Sequence, residues 1–251
     1  MPYGRAPIGD AATAVPGCPS ITTFGLLAVS LLAVLQSCAP RSFVNDVFPV
    51  TVAQPRVCCT MAESAPAQEA LARAAADFLG PAPITVGKRQ FPADCSGLVR
   101  GIYATQRVEL YEGLGKLDGG NGVGRIYTHV VEHGRIHQGP AVHPGDLVFF
   151  HNTWDFNRDG RFNDPLTHVG VVEQVERDGT VVFVSRVSAG TERYRMNLQE
   201  PHTHKTADGR VLNDYMRRRA SGDPSEAQYL TGQLFAAFGT VVGEGRAMAS
   251  R

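Results

Sequence analysis

Between residues 145 and 198 three consecutive segments share one pattern, a short apolar run rich in β-branched and aromatic residues and bounded by turn residues, and a shorter, more polar fourth follows. They read GDLVFFHN (145–152), THVGVVEQVE (167–176), GTVVFVSRVS (179–188) and ERYRMNL (192–198). Such side chains fit a pleated, half-buried surface, so each segment predicts a strand. Asp178-Gly179 supplies the tight turn of a hairpin between the second and third. The preceding half reads differently. APAQEALARAAADFLG predicts a helix from about Ala67 to Leu79, rich in Ala and Leu and stopped by Gly80 and Pro81. In DCSGLVRGIYATQRVEL, Leu98, Ile102 and Tyr103 recur at helical spacing with Val99 beside them, which predicts a second helix. Helices first and an antiparallel sheet second predict an α+β domain. A last helix is expected within PSEAQYLTGQLFAAFGTVV, and YEGLGKLDGGNGVG (111–124) reads as a glycine-rich connection without the residue order of a phosphate loop.

The N-terminus is of another kind. Residues 21–35, ITTFGLLAVSLLAVL, carry no charge and are short for a spanning helix but suited to the apolar section of a secretory signal. The following LQSC resembles the lipobox of bacterial lipoproteins, which implies Cys38 as the lipid acceptor and a lipid-anchored protein of the cell envelope, facing the periplasm or the exterior. The expected organisation is a leader over 1–37, a flexible tether rich in Pro, Ala, Thr and Ser over 38–65, a domain over 66–220, and a C-terminal helix and tail over 221–251. Lysine plus arginine number 24 and aspartate plus glutamate 24, so no overall field draws the chain to nucleic acid. Cleavage before Cys38 leaves Cys58, Cys59 and Cys95. The adjacent pair reads as exposed thiols or as an intermolecular bridge. An unpaired cysteine is a liability in an oxidising compartment, which makes Cys95 a candidate for chemistry.

A thiol is a nucleophile as thiolate, and a helix N-terminus favours negative charge through its unpaired N–H groups. Cys95 stands where the second helix should begin, after Asp94, a candidate N-cap. A base must come from elsewhere in the chain, and His168, at the head of the strand THVGVV, is the best placed histidine. The motifs DCSGLV, PGDLVFF and THVGVV, in that order after an Ala-rich helix ending FLG, resemble the NlpC-type cell-wall peptidases, a papain-like family. The resemblance spans roughly residues 67–198. It implies N-terminal helices packed on an antiparallel sheet, Cys95 as nucleophile, His168 as base, and a substrate in the stem peptide of peptidoglycan, usually the bond between D-glutamate and a diamino acid. In that family a third polar residue, often histidine, orients the base from the next strand in a stretch like FIHAS. Here FVSRVS puts Ser185 in that slot, and the family's PYxWGG loop before the nucleophile is replaced by APITVGKRQFPADC. Serine can accept a hydrogen bond from imidazole but carries no charge to stabilise imidazolium. The alternatives are therefore a weakened or inactive peptidoglycan-binding protein and a CHAP-like amidase or acyltransferase.

Between two of the strands lies DFNRDGRFND, residues 155–164. Asp155, Asn157 and Asp159 followed by Gly160 match the start of a calcium loop, with Asp164 able to close a shorter one; the alternative is an Asx-rich turn that needs no ion. No cofactor is required by the proposed chemistry, so calcium would be structural. His129, His133 and His137 recur every four residues and read as surface histidines rather than a metal site, and Arg217 to Arg219 as a solvated basic run.

Overall fold

The structure, a computed structural model, describes residues 58–112 and 121–243. The expectations for the leader, for lipidation at Cys38 and for the tether up to residue 57 lie outside the described residues. In chain order the elements are β1 (Thr60–Met61), α1 (Pro66–Asp77), β2 (Thr85–Val86), β3 (Arg89–Gln90), α2 (Cys95–Thr105), α3 (Gly122–His133), β4 (Arg135–His137), β5 (Ala141–Val142), β6 (Leu147–Phe150), β7 (His168–Val175), β8 (Val181–Val187), β9 (Gly190–Met196), α4 (Thr231–Leu234) and β10 (Phe235–Thr240). The main sheet runs β4-β10-β6-β7-β8-β9, and every neighbouring pair in it is antiparallel. The fold is thus α+β around an antiparallel sheet.

Strand side chains alternate between two cores. Leu147 and Phe149 of β6, Val169 and Val171 of β7 and Val184 of β8 face Leu71 and Ala75 of α1, Leu98 and Ile102 of α2, and Ile126 and Val130 of α3. Val148, Phe150, Val172, Val181 and Phe183 face the other way, onto Met216, Leu234 and Phe238. Each fully buried side chain of this size contributes about 1.5–3 kcal/mol. With both faces covered, β6 is buried at all of its positions, which is why its sequence is an unbroken apolar run.

The chain departs from the sequence expectations at both ends of the domain. The C-terminal segment expected to be helical holds only the single turn of α4 and then becomes β10, which sits between β4 and β6 and bonds to both. Its FAAFGT sequence has alanines suited to a helix, but pairing on two sides with Phe235 and Phe238 buried outweighs propensity. The domain therefore runs past residue 220. At the other end, β1 pairs in parallel with β5, and Cys58 and Cys59, bonded to each other as a disulfide, are buried in the second core. Residues 58–61, assigned to the tether by composition, belong to the fold, and the pair forms neither exposed thiols nor an intermolecular bridge. The glycine-rich connection ends in a helix that its composition hid: the side chain of Asn121 accepts from the Gly124 N–H at 2.7 Å and starts α3. Among the described residues no helix is long and apolar enough to cross a membrane.

Candidate active site

Helix α2 carries Cys95 as its first residue, and the residues around it explain why it starts there. Asp94 is the N-cap; its Oδ1 accepts from the Gly97 N–H at 2.7 Å and from the Ser96 hydroxyl at 2.8 Å, satisfying donors that a helix start leaves open. Gly97 lets the preceding loop cross close to the helix, because a Cβ there would stand 2.0 Å from the Pro92 carbonyl oxygen. That loop carries the small β2–β3 hairpin.

Cys95 is half-buried, and backbone groups of Val169, Ser96 and Cys95 itself favour the thiolate. They do not win. Burial, reinforced by the Asp94 carboxylate, pushes the Cys95 thiol up to about 12. The expectation that the helix start would depress this thiol is thus overturned by desolvation and by the charge of the cap that starts the helix. The contact with Val169 sets the sulfur beside the first residues of β7, where His168 opens the strand and pairs with Phe150 of β6.

His168 is 8% exposed, and burial pulls it down to about 4, with Asp94 acting weakly in the opposite direction. Its Nε2 lies 2.7 Å from the hydroxyl of Ser185, which is fully buried on β8. That hydroxyl also lies 2.7 Å from the Val169 carbonyl oxygen. A serine has one proton to donate, and a carbonyl can only accept. Ser185 therefore donates to Val169 and accepts from the Nε2–H of His168, which leaves the lone pair on Nδ1 as the basic site. No hydrogen bond joins the Cys95 sulfur to the imidazole ring among the described residues; in substrate-free sites such contacts are often long and tighten on binding. At neutral pH the site holds a neutral thiol and a neutral imidazole of fixed tautomer.

Cys95 and His168 open onto a cleft of about 920 Å³ whose walls include Trp154, Phe156, Arg186 and Arg218. That volume suits a peptide-sized ligand. Trp154 and Phe156 are 49% and 41% exposed and meet edge to face at 5.2 Å. Neither was singled out from the sequence; two aromatics flanking an Asx-rich loop were the available signal. Arg186 is fixed by donating to the carbonyls of Ala82 and Pro81 and to Thr191. Arg217, expected to be solvated, is buried instead: it donates to the Asn152 carbonyl at 2.9 Å and pairs with Asp223.

The remaining expected site residues separate into two groups. Asp155, Asn157, Asp159 and Asp164 lie together in the loop before β7, bonded to one another's backbone N–H groups. The three histidines do not form one cluster. His129 and His133 meet at a tilt on α3, their ring centroids 4.6 Å apart, and His129 is buried rather than on the surface; His137 lies on β4, 3.6 Å from Asp146. Among the described residues no three His, Cys, Asp or Glu side chains stand arranged as a ready metal cage. Compared with known proteins, the chain matches no family model, and no curated protein or solved structure proved similar to it.

Proposed function

We propose that this chain is a cell-wall hydrolase, a cysteine peptidase of the NlpC-type, papain-like kind, that cleaves peptide bonds in peptidoglycan stem peptides. The observation that carries the reading is the convergence of a helix-start cysteine, a strand-start histidine with its Nε2 proton committed to Ser185, and a peptide-sized cleft. The order of DCSGLV, PGDLVFF and THVGVV supports the family assignment.

In this mechanism substrate binding brings the dyad together. His168 Nδ1 takes the thiol proton as the Cys95 sulfur attacks the amide carbonyl carbon. The Cys95 backbone N–H, at the helix start, donates to the oxyanion. Collapse breaks the C–N bond while the imidazolium returns the proton to the leaving amine, and a thioester remains. Water then attacks the thioester, again losing its proton to Nδ1, and the product carboxyl departs as the thiol is restored. Ser185 is a positioning residue: it accepts from Nε2 throughout and keeps Nδ1 free. Asp94 supplies the nearby negative charge that Ser185 lacks. Lipidation at Cys38 would hold the domain at the membrane within reach of the wall.

The neutral resting dyad and the uncharged Ser185 favour a second reading, a weakened enzyme or a peptidoglycan-binding protein. Both readings are tested by digesting purified peptidoglycan with the full chain and its Cys95→Ala variant. Cys95-dependent fragments cut between D-glutamate and the diamino acid fit the peptidase; whole stem peptides released with a free N-terminus, leaving a free lactyl carboxyl on the sugar, indicate an amidase. Binding without fragments, unchanged in Ser185→His, leaves the binder; fragments that rise sharply in Ser185→His identify a weakened enzyme.

A further inference from the structure

We infer that the 155–164 loop is a calcium site that braces one wall of the cleft. The inference does not depend on the peptidase reading. The sequence offers side-chain oxygens at alternate positions, Asp155, Asn157 and Asp159, then Gly160 with φ of 72°, the left-handed turn that wraps such a loop. The independent observation is Asp164. Its residue is 3% exposed, its Oδ1 accepts from the Asn157 N–H at 3.1 Å, and its Oδ2 is buried without a hydrogen-bond partner. A carboxylate turned into the loop with an oxygen unserved is costly unless a cation completes it. Asp155 and Asp159 bring two more carboxylates into the same loop, where they accept from its backbone N–H groups.

Three carboxylates and one amide are hard oxygen donors whose net charge exceeds that of a single divalent ion, and an irregular loop suits calcium better than magnesium, which demands near-octahedral geometry. Asp155 and Asp159 also accept from the N–H groups of Asp159, Gly160 and Arg161, but a carboxylate has about four lone-pair sites, so these bonds leave capacity for an ion. Binding draws the two toward Asp164 by side-chain rotation.

The loop is tied to the site at both ends. Asp164 and Asn152 bond to each other through the Asn152 N–H and the Asn152 side-chain oxygen, at 2.8 and 2.6 Å. Thr153 donates to the Thr167 hydroxyl, next to His168, and the Leu166 N–H donates to the His151 ring at 2.9 Å. Trp154 and Phe156, the cleft's aromatic wall, flank Asp155 directly. An ion here would fix both the wall and the approach to His168.

Trp154 is the only tryptophan in the chain and adjoins the first ligand, so its emission reports the site. The full chain, stripped with chelator, is titrated with calcium chloride and separately with magnesium chloride while Trp154 fluorescence and the melting temperature are recorded. The expected result is a saturable calcium response with a higher melting temperature, at least tenfold weaker for magnesium. Asp164→Asn should abolish the response, yet in chelator it should melt no lower than wild type, because it removes an unserved buried carboxylate. Asp159→Asn, at an exposed position where folding is not at risk, should weaken the response at least tenfold. No change up to about 10 mM calcium, roughly tenfold above the weakest affinities of extracellular calcium modules, overturns the site. So does an equal response to magnesium, or a wild-type response in both variants.

Discussion

Replacing Ser185 with alanine removes one oxygen that serves two partners in a fully buried position. The Nε2–H of His168 loses its acceptor and the Val169 carbonyl loses its donor, each from a 2.7 Å bond. An unpaired polar group inside a protein costs about 1–3 kcal/mol. Moving the ring proton to Nδ1 does not rescue the site, since Nε2 then presents an unpaired lone pair instead. Ser185→Ala is expected to lose about 2–4 kcal/mol of stability, read from the urea midpoint at unchanged m-value. The sharper readout is the ring itself. In wild type, the ¹⁵N shifts of His168 should report the Nε2–H tautomer alone; in Ser185→Ala they should report a mixture, and hydrolysis should fall in proportion to the share of the population that no longer keeps Nδ1 free. A stability loss under about 0.5 kcal/mol together with an unchanged tautomer would refute the assignment of donor and acceptor.

Burial holds His168 near 4 while an unfolded histidine titrates near 6.5, so the unfolded chain binds more protons between those values and stability is lost as pH falls through that window, on the order of 3 kcal/mol. Denaturation midpoints at pH 4 and 7 should differ less in His168→Gln than in wild type, and an equal difference would remove His168 as the cause. Activity should correspondingly show no acidic limb near 6.5 but fall only as pH approaches 4, with a limb at 6.5 counting against a buried neutral base. Asp146, 1% exposed, accepts from the His143 N–H at 2.8 Å and contacts the rings of His143 and His137 at 3.3 and 3.6 Å. Asp146→Ala should therefore cost about 2–3 kcal/mol by urea denaturation, whereas a near-neutral change would show that these contacts carry nothing. Gly97→Ala forces a Cβ against the Pro92 carbonyl and should cost about 1–3 kcal/mol while displacing the start of α2; a variant as active and as stable as wild type would show that the loop yields freely.

Much of the fold was legible because its segments obey one period each. The strands β6 to β9 and the helices α1 and α2 fall where alternation and helical spacing put them. β10 was not legible: FAAFGT carries mixed propensity, and what makes it a strand is two distant partners, β4 and β6. The buried disulfide at Cys58 and Cys59 was hidden for the same reason, since a Pro- and Ala-rich context says nothing of the core that covers it. At the site, sequence order was enough to single out Cys95, His168 and Ser185, and the calcium-like spacing of Asp155 to Asp164. It could not fix their electrostatics. A helix start argues for a low thiol pKa, but the depth of burial and the charge of Asp94 reverse the sign, and neither is a property of local sequence. The tautomer of His168 likewise depends on the Val169 carbonyl, a backbone atom that only the sheet brings to Ser185. Arg217 was misread because its partner, Asp223, and the carbonyl of Asn152 meet it through loops of no regular pattern.

Whether the thiol breaks the bond is read from the rate at which new amino termini appear when purified peptidoglycan is incubated with the full chain, compared with Cys95→Ala and His168→Ala. Nucleophile and base act as a unit, so both variants should fall by about a thousandfold or more, with the wild type releasing one new amino group and one new carboxyl group per bond cut. Amino-group release that persists within threefold of wild type in Cys95→Ala would contradict the account, because the bond would then be broken without the thiol.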